Sequence, residues 1–289
     1  MTEFRKILRV LCFLILFLPD SHSYAQTATP PTGRDEWSGD YEPFRIAGNL
    51  YYVGTYDLAC YLVTSNAGHI LINTGLAESA DMIKSHIEKL GFRFSDIKIL
   101  LTQQAHWDHV AAMAKIKKLT NAKLMVNEKD AQAIADGGNS DYLFGGKGSI
   151  FKPVKPDRLL RDNDVIQLGD TKLTLLHHPG HTKGSSSYFL DTKDEKRSYR
   201  VLIANMPTII ADPSGMPGYP DIKNDYVYTF EKMKNLKFDL WVAAHAMQFG
   251  LHEKRKPGDP YDPELFSKRG EYLKALSEIE TEFAKKTKK

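Results

Sequence analysis

The sequence predicts an α/β protein in which two mixed sheets pack face to face, with helices on the outside. Between Asn49 and Glu128, strand, loop, helix and strand follow one another, and a similar order begins again at Val165. Each half ends a strand in histidine. Of the 289 residues, 42% are hydrophobic, so the chain can build a sizeable core in one large domain or two small ones.

The first 25 residues predict a secretory signal peptide, residues 1–25. A basic start with Arg5, Lys6 and Arg9 precedes an apolar run from Val10 to Pro19, and small residues follow near position 25. A membrane anchor is the alternative, but spanning a bilayer takes about 18 or more apolar residues and this run is far shorter. We therefore expect an exported, periplasmic protein whose mature chain begins near Gln26.

Residues 26–44 predict a mobile N-terminal arm, because the segment QTATPPTGRDEWSGD is rich in Pro, Thr and Gly. The domain itself is expected to occupy residues 45–289. Its first apolar runs, NLYYVGTYD, ACYLVTSNAG and HILINTG, are short and are separated by Gly, Asn and Asp. This pattern is typical of antiparallel strands.

A helix is predicted next, where AESADMIKSHIEKLGF places Met82, Ile83, Ile87 and Leu90 at helical spacing before Gly91. The continuous apolar run IKILLT predicts a strand that is buried on both faces. VAAMAKIKKLTNA then predicts a helix, and KLMVNE predicts another strand. This alternation is the one expected of an α/β architecture.

The second half predicts strands at VIQLGD, KLTLLHHPGH, SSSYFL, RVLIAN and DLWVAAH, with a helix around Tyr226 to Leu236 before the last of them. The tail predicts a long helix whose apolar residues lie near one face: Tyr272, Leu273, Leu276, Ile279 and Phe283. We expect this helix to dock on the domain and its lysine-rich end to be solvated.

Charge and cysteine content argue against several classes of function. The formal net charge is +3 and no long basic block lies inside the domain, so composition does not support nucleic-acid or membrane binding. Cys12 falls within the predicted signal peptide and Cys60 remains alone, so no intrachain disulfide is expected. Cys60 lies in the apolar run ACYLV and is expected to be a buried small hydrophobic residue. A monomer is the default expectation for a periplasmic protein of this size.

Five side chains near strand ends predict a metal site. His106, His109, His181 and His245 each follow an apolar strand, where α/β folds place ligand sites, and Asp108 lies between the first two. Any one of these histidines alone would more often be a satisfied core residue. Zinc suits the set, because imidazole nitrogens bind it at about 2.0–2.1 Å and catalytic zinc keeps an open position. The tight spacing from His106 to His109 allows two neighbouring ions.

The adjacent pair His177 and His178 also precedes a strand end. Neighbouring strand residues point to opposite faces, so at most one of the two faces the site. We expect supporting or structural roles for both.

Three stretches resemble the HxHxDH pattern and its partners in the metallo-β-lactamase superfamily: QAHWDH, HHPGHTKGS around His181 and AAHAMQF around His245. The resemblance covers nearly all of the predicted mature chain. YYVGTYDLACYLV, ILINTG and HHPGHTKGSSSYF are more narrowly similar to the third subclass of class B β-lactamases, and Gln104 is similar to the first ligand position of its GOB-type branch. The resemblance implies an αββα sandwich, the metallo-β-lactamase fold, with the metal site at one edge between the sheets.

The resemblance implies two metal positions. Gln104, His106 and His181 would form the first position, and Asp108, His109 and His245 would form the second. An amide oxygen is neutral and a poorer zinc donor than imidazole, so Gln104 should weaken the first position. One or two Zn²⁺ ions are therefore implied, with the second position favoured.

A further departure from the family is Met206, which stands where this subclass usually has a serine near the metal-bound water. Methionine can fill space there but cannot organise a water molecule strongly.

The resemblance implies a zinc hydrolase that opens the β-lactam amide of penicillins, cephalosporins and carbapenems and confers antibiotic resistance. A hydroxide on the metal is expected to attack the carbonyl, with Asp108 as the catalytic residue that both ligates and orients. Thr208 and Ser185 are expected to meet the carboxylate of this small-molecule substrate.

Two alternatives remain open. A hydrolase of the same fold could act on lactones or thioesters, but such enzymes usually carry a bridging aspartate, and none stands between Val201 and Ala211. A module that only holds zinc is the other alternative. Structural zinc sites are closed, whereas the implied ligand sets leave positions open, which favours an enzyme.

Overall fold

Two β-sheets pack face to face in the computed structural model, which describes residues 27–214 and 216–288. The predicted signal peptide, residues 1–25, lies outside the described residues. One buried apolar cluster joins the inner faces of the sheets, and a second fills the space between the first sheet and its helices. The predicted αββα sandwich is confirmed.

The helices, in chain order, are α1 (Ser79–Lys89), α2 (Trp107–Val110), α3 (Met113–Thr120), α4 (Ala131–Ala135), α5 (Ile222–Lys234), α6 (Leu251–Lys254) and α7 (Arg269–Thr287). Short 3-10 segments are formed by Asp35–Trp37, Phe94–Asp96, Ala246–Phe249 and Pro263–Phe266.

The first sheet contains seven strands in the order of the chain: β1 (Phe44–Ala47), β2 (Leu50–Tyr52), β3 (Tyr61–Ser65), β4 (Gly68–Ile72), β5 (Ile97–Leu101), β6 (Lys123–Asn127) and β7 (Arg158–Leu160). Neighbouring strands pair antiparallel from β1 to β4 and parallel from β4 to β7. Parallel neighbours require crossover connections, and α1 and α3 lie in two of them.

The second sheet contains the strands β8 (Val165–Leu168), β9 (Thr171–His177), β10 (Ser186–Lys193), β11 (Ser198–Ala204) and β12 (Leu240–Ala243). Their order is β12-β11-β10-β9-β8. Strands β8 to β11 form an antiparallel meander, and β12 joins β11 in parallel after the crossover through α5.

Successive residues at the end of β5 pack in different clusters, because side chains along a strand point alternately to its two faces. Ile99 and Leu101 lie in the cluster between the sheets, whereas Leu100 lies in the cluster beneath α1 and α3. The strand is therefore buried on both faces from Ile99 to Leu101, as predicted for IKILLT, whereas Lys98 is exposed and the strand ends before Thr102. On the far side of the second sheet, the ring of Trp241 lies 5.3 Å from the ring of Tyr272 in α7, so the C-terminal helix docks on the domain as predicted.

The helix predicted at VAAMAKIKKLTNA begins later than expected, at Met113. The carbonyl of His109 accepts hydrogen bonds from the backbone N–H (2.8 Å) and the hydroxyl (3.2 Å) of Thr74, in the loop after β4. That carbonyl is therefore not free to continue a helical ladder, and α2 ends at Val110. The interruption separates the one-turn helix that carries the metal-binding motif from α3.

The arm packs against the domain. The backbone N–H of Ala28 donates to the carbonyl of Ser149 at 2.8 Å, and Asp40 lies 2.8 Å from Nε2 of His86. His86 is buried, and its Nδ1 lies 3.2 Å from the carbonyl oxygen of Val53. Pro, Thr and Gly content alone predicts mobility here, because composition does not register such individual anchors. Cys60 is free and buried, as predicted.

Among the helices of the described ranges, none combines the length and the apolar character needed to cross a bilayer.

Candidate metal centre

The predicted ligands gather at one edge of the sandwich, in the loops that follow β5, β9 and β12. His106, Asp108, His181 and His245 line a cavity of about 320 Å³, and its walls include aromatic and aliphatic side chains. A larger groove of about 780 Å³ is lined by turn residues such as Asn66 and Asp170 and contains none of the predicted ligands. The predicted ligands therefore converge on the smaller cavity.

At the first position, two imidazole nitrogens face each other. Nδ1 of His106 lies 3.1 Å from Nε2 of His181. The other nitrogen of His181, Nδ1, is 2.9 Å from the carbonyl oxygen of Thr208, to which it donates. The other nitrogen of His106, Nε2, lies 3.3 Å from the carboxylate of Asp141, which favours a proton there. Assigned in this way, the two facing nitrogens present lone pairs to each other, a repulsive contact unless a cation lies between them.

At the second position, too, atoms with lone pairs face one another. Oδ2 of Asp108 lies 3.3 Å from Nε2 of His109 and 3.5 Å from Nε2 of His245, and the three side chains offer ligand atoms within 4.8 Å of one another. Nδ1 of His245 lies 2.9 Å from Oδ2 of Asp57 and donates to it. The lone pair on Nε2 of His245 therefore points towards a carboxylate, which again calls for a cation or a proton.

Asp57 is itself held in place. Its Oδ2 also accepts from Nε1 of Trp37 at 3.1 Å, and its Oδ1 accepts from the backbone N–H of Met247 at 3.0 Å. With these bonds Asp57 fixes the ring orientation of His245 and the nitrogen that it presents to the cavity.

The donor set fits zinc. Tetrahedral coordination at about 2.0–2.1 Å places ligand atoms roughly 3.3 Å apart, which matches the observed separations at both positions. Several buried atoms of the predicted ligands also have no hydrogen-bond partner within the described residues: Gln104 Oε1, His106 Nε2, Asp108 Oδ1, and Nδ1 and Nε2 of His109. An unsatisfied buried polar group costs about 1–3 kcal/mol, so this concentration of unsatisfied nitrogen and oxygen atoms fits a site that holds a cation.

Burial and charge shift the pKa values in ways that suit ligation. Burial raises the pKa of Asp108, yet His109 and His245 hold it well below its usual value. Burial, together with His106, lowers the pKa of His181 to about 3. Burial lowers the pKa of His245, but Asp108 and Asp57 outweigh this effect and raise it to about 9. Asp108 is thus ionised and His181 neutral, and a metal at the second position would displace a proton from His245.

The remaining predicted residues divide into two groups. Gln104 is buried with its Oε1 unpaired within the described residues, and Thr208 lines the cavity with Oγ1 at 3.0 Å from Nδ1 of His181. Ser185 is fully buried, and its hydroxyl donates to or accepts from Thr182, so the structure does not bring it to the cavity. Met206 belongs to the core between the sheets and does not line the cavity.

The histidine pair beside the motif has structural partners. Nδ1 of His178 lies 2.8 Å from the hydroxyl of Ser187, and Nδ1 of His177 accepts from the Asn127 amide at 2.9 Å. Neither histidine lines the cavity.

Sequence reasoning missed the two carboxylates behind the histidines and part of the cavity wall. Asp57 is the last residue of the predicted strand run NLYYVGTYD, so its place at the end of that run was an available signal. Asp141 lies in the glycine-rich stretch GGNSDYLFGGKG, which has no periodicity to place it. Arg34 and Trp37 of the arm line the cavity, and the arm's composition gives no indication of this.

Trp107 packs and lines the cavity at once. Its ring lies 5.0 Å from that of Phe144 and 6.3 Å from that of Trp37, and it forms part of the cavity wall.

Comparison with known proteins places this geometry in a family. Residues 54–194 match the family model of the metallo-β-lactamase superfamily. A class B3 di-zinc metallo-β-lactamase from an Alaskan soil metagenome, LRA-12, is 59% identical, with a TM-score of 0.88, over 90% of this chain and 100% of its own. The metallo-β-lactamase GOB-18 from Elizabethkingia meningoseptica is 56% identical, with a TM-score of 0.89, over 91% of this chain and 98% of its own.

Curated relatives are more distant. The acyl-coenzyme A thioesterase MBLAC2 of Gallus gallus is 33% identical over 176 residues, which is 55% of each chain. The chain spans about half the length of the curated relatives that it matches first. The solved structures, by contrast, match over nearly their whole length and at far higher identity. The chain therefore belongs to the metallo-β-lactamase superfamily.

Proposed function

We propose that this chain is an exported zinc β-lactamase that hydrolyses the amide of penicillins, cephalosporins and carbapenems and so confers antibiotic resistance. The observation that carries the proposal is the 56–59% identity to class B3 β-lactamases over 98–100% of their chains. The ligand atoms without hydrogen-bond partners at one cavity support the proposal independently. They suit a catalytic metal site with an open position and not a closed structural metal site.

Six side chains would hold the metal: Asp108, His109 and His245 at the second position, and Gln104, His106 and His181 at the first. Zinc bound there would polarise the substrate carbonyl and lower the pKa of water towards 7. Asp108 keeps Oδ1 free of hydrogen bonds from the described residues, so this atom is available to orient the attacking water and accept its proton. Asp57 keeps Nε2 of His245 directed at the cavity throughout.

The cavity walls suit a compact, partly apolar substrate with an anionic group. Trp37, Trp107 and Ile210 supply apolar surface that excludes bulk water from the reacting amide. Arg34 is exposed at the cavity wall and is placed to attract the carboxylate that these antibiotics carry, and Thr208 offers a hydroxyl from the β11 side of the same cavity. Ser185 has no part in this binding mode.

Hydrolysis of lactones or thioesters is the second candidate, favoured by the likeness to a thioesterase. Two-metal hydrolases of that kind usually need a bridging carboxylate after the strand that corresponds to β11. Here β11 ends at Ala204, and the buried residues Asn205 and Met206 follow it. Neither side chain can supply an anionic bridge, so β-lactam hydrolysis is the better fit.

The test is to incubate the purified mature protein with one penicillin, one cephalosporin and one carbapenem. Hydrolysis is monitored as the loss of β-lactam absorbance. We expect turnover that is lost on chelation and restored by added zinc. An acyl-homoserine lactone and an acyl thioester are assayed in parallel, and His245→Ala serves as the inactive control. Zinc-dependent turnover of the ester substrates without any β-lactam opening would overturn the proposal in favour of the second candidate.

Export and oligomeric state are part of the proposal. The basic start and apolar run of residues 1–25 support transport to the periplasm, and we propose that the mature enzyme acts there as a monomer. Cell fractionation with N-terminal sequencing should find a periplasmic protein starting near Gln26. Light scattering should give the mass of one chain, and a dimer mass at micromolar concentration would contradict the monomer.

A further inference from the structure

One loop, between α4 and β7, contacts both histidines of the first metal position. Oδ2 of Asp141 lies 3.3 Å from Nε2 of His106, on the side of the ring away from His181. The hydroxyl of the next residue, Tyr142, donates to the carbonyl oxygen of His181 at 3.0 Å. The Phe144 ring packs edge-to-face on the His106 ring, with centroids 5.2 Å apart. The loop therefore shapes the first position, although it supplies none of the predicted ligands.

Asp141 is fixed more firmly than a surface carboxylate. Its Oδ1 accepts from the backbone N–H groups of Leu143 (2.9 Å) and Phe144 (2.7 Å), and only 6% of its side chain is exposed. These two bonds commit one carboxylate oxygen to the loop and leave the other facing His106. Nε2 of His106 makes no hydrogen bond within the described residues, so the carboxylate of Asp141, at ion-pair distance, is the charged group that it faces.

We propose that Asp141 is a positioning residue for zinc at the first position. By attracting the proton to Nε2 of His106, it presents the lone pair of Nδ1 to the metal and makes that nitrogen a stronger donor. The contribution matters at this position because Gln104, the neighbouring ligand, is uncharged. Asp141 supplies the first position with the negative charge that the ligand set itself lacks. This inference rests on the zinc binding of the proposed function but not on the identity of the substrate.

A purely structural role for Asp141 is the competing explanation, and the same loop offers a matched control. Asp136 also accepts a backbone N–H, that of Ser140, at 3.2 Å. It makes no contact with a predicted ligand. Asp136→Asn and Asp141→Asn therefore both neutralise a loop carboxylate, but only Asp141→Asn changes the surroundings of His106. The asparagine would keep an oxygen for Leu143 and Phe144 and turn an amide N–H₂ towards the imidazole.

The experiment measures zinc affinity at each position by competition with a chromophoric chelator. The first position is measured in a His245→Ala background and the second in a His181→Ala background. We expect Asp141→Asn to weaken zinc at the first position by roughly 10- to 100-fold, the range typical of lost outer partners of ligating histidines, and to leave the second within about twofold. Asp136→Asn should change neither, and Gln104→His should recover most of the loss in the Asp141→Asn chain.

Two further measurements do not depend on catalysis. In the metal-free protein, ¹⁵N chemical shifts of the His106 ring should show the proton on Nε2, and Asp141→Asn should move the population towards Nδ1. The melting temperatures of the metal-free Asp136→Asn and Asp141→Asn proteins should agree. Equal losses at both metal positions, a lower metal-free melting temperature for Asp141→Asn alone, or an unchanged tautomer would each overturn the proposal. Failure to hydrolyse any β-lactam, with these results intact, would overturn only the proposed function.

Discussion

The two metal positions share one cavity but differ in where their negative charge lies. The second position has Asp108 among its own ligands and Asp57 behind His245. The first position has the neutral Gln104 among its predicted ligands, and the carboxylate of Asp141 stands behind His106. Among the carboxylates within ion-pair distance of the predicted histidine ligands, Asp108 and Asp57 lie at the second position and Asp141 lies at the first. Because a divalent cation in a buried site responds strongly to such charges, the second position should bind zinc more tightly.

Loss of a ligand should separate the two positions most clearly. We expect His245→Ala to lower both second-position zinc affinity and kcat/KM by at least 100-fold, beyond the roughly 10- to 100-fold effect of an outer partner. His181→Ala should cost kcat/KM less, about tenfold, if the second position does the main work. Steady-state kinetics at fixed free zinc, with metal content measured on the same samples, provide the check. Equal losses in the two variants would show that both positions are needed equally.

Removing the outer carboxylate of the second position should have the next largest effect. Asp57→Asn keeps the size of the side chain but removes the charge that backs His245, and we expect a roughly 10- to 100-fold loss of zinc affinity there. The first position should be unchanged, the mirror image of the result expected for Asp141→Asn. Chelator competition measures both affinities. Trp37→Phe, which removes one of the hydrogen bonds to Asp57 and keeps the charge, is the graded control and should cost less.

Converting Gln104 to histidine should narrow the difference between the positions. A neutral amide oxygen would be replaced by an imidazole nitrogen, a better zinc donor. We expect first-position affinity to rise by about tenfold, equivalent to about 1.4 kcal/mol, with zinc content at limiting free metal moving from about one ion towards two. Inductively coupled plasma mass spectrometry after dialysis gives the stoichiometry. An unchanged metal content would mean that Gln104 does not set the affinity of this position.

The sandwich and the ligands were predictable for different reasons. Strand and helix periods are local properties, so IKILLT, AESADMIKSHIEKLGF and the C-terminal helix could be recognised from single windows. The four histidines and Asp108 were recognisable because they combine a metal-binding residue type with a place at a strand end. Gln104 entered only through the resemblance to a family, since glutamine is an uncommon zinc ligand and no local pattern indicates it.

The supporting residues were beyond sequence reasoning because tertiary contacts place them. Asp141 approaches His106 only through the path of its loop, which turns where Gly145 lies so close to the carbonyls of Asn139 and Asp141 that any Cβ would clash. Trp37 reaches the cavity because Asp57 holds its indole N–H across a separation of 20 residues. Such contacts depend on the assembled fold, so neither the hydrophobic periodicity nor the composition of the sequence predicts them.

The smallest effect is expected when a residue that would contact the substrate is changed. The change in KM shows whether the substrate carboxylate lies nearer the first or the second metal position. Arg34 belongs to the arm, whose Trp37 ring lies 5.7 Å from the ring of His245 at the second position, whereas Thr208 contacts His181 at the first. Exposed ion pairs contribute about 0.2–1 kcal/mol, so Arg34→Ala should raise KM by up to about fivefold and leave kcat unchanged. Arg34→Lys should retain most of the wild-type KM because it keeps the charge. A methyl ester of the same antibiotic should bind the wild-type and Arg34→Ala proteins equally, since it offers no carboxylate.

If Arg34→Ala leaves KM unchanged and Thr208→Val raises it, the carboxylate lies on the side of the first position. The arm then serves mainly to hold Asp57 through Trp37.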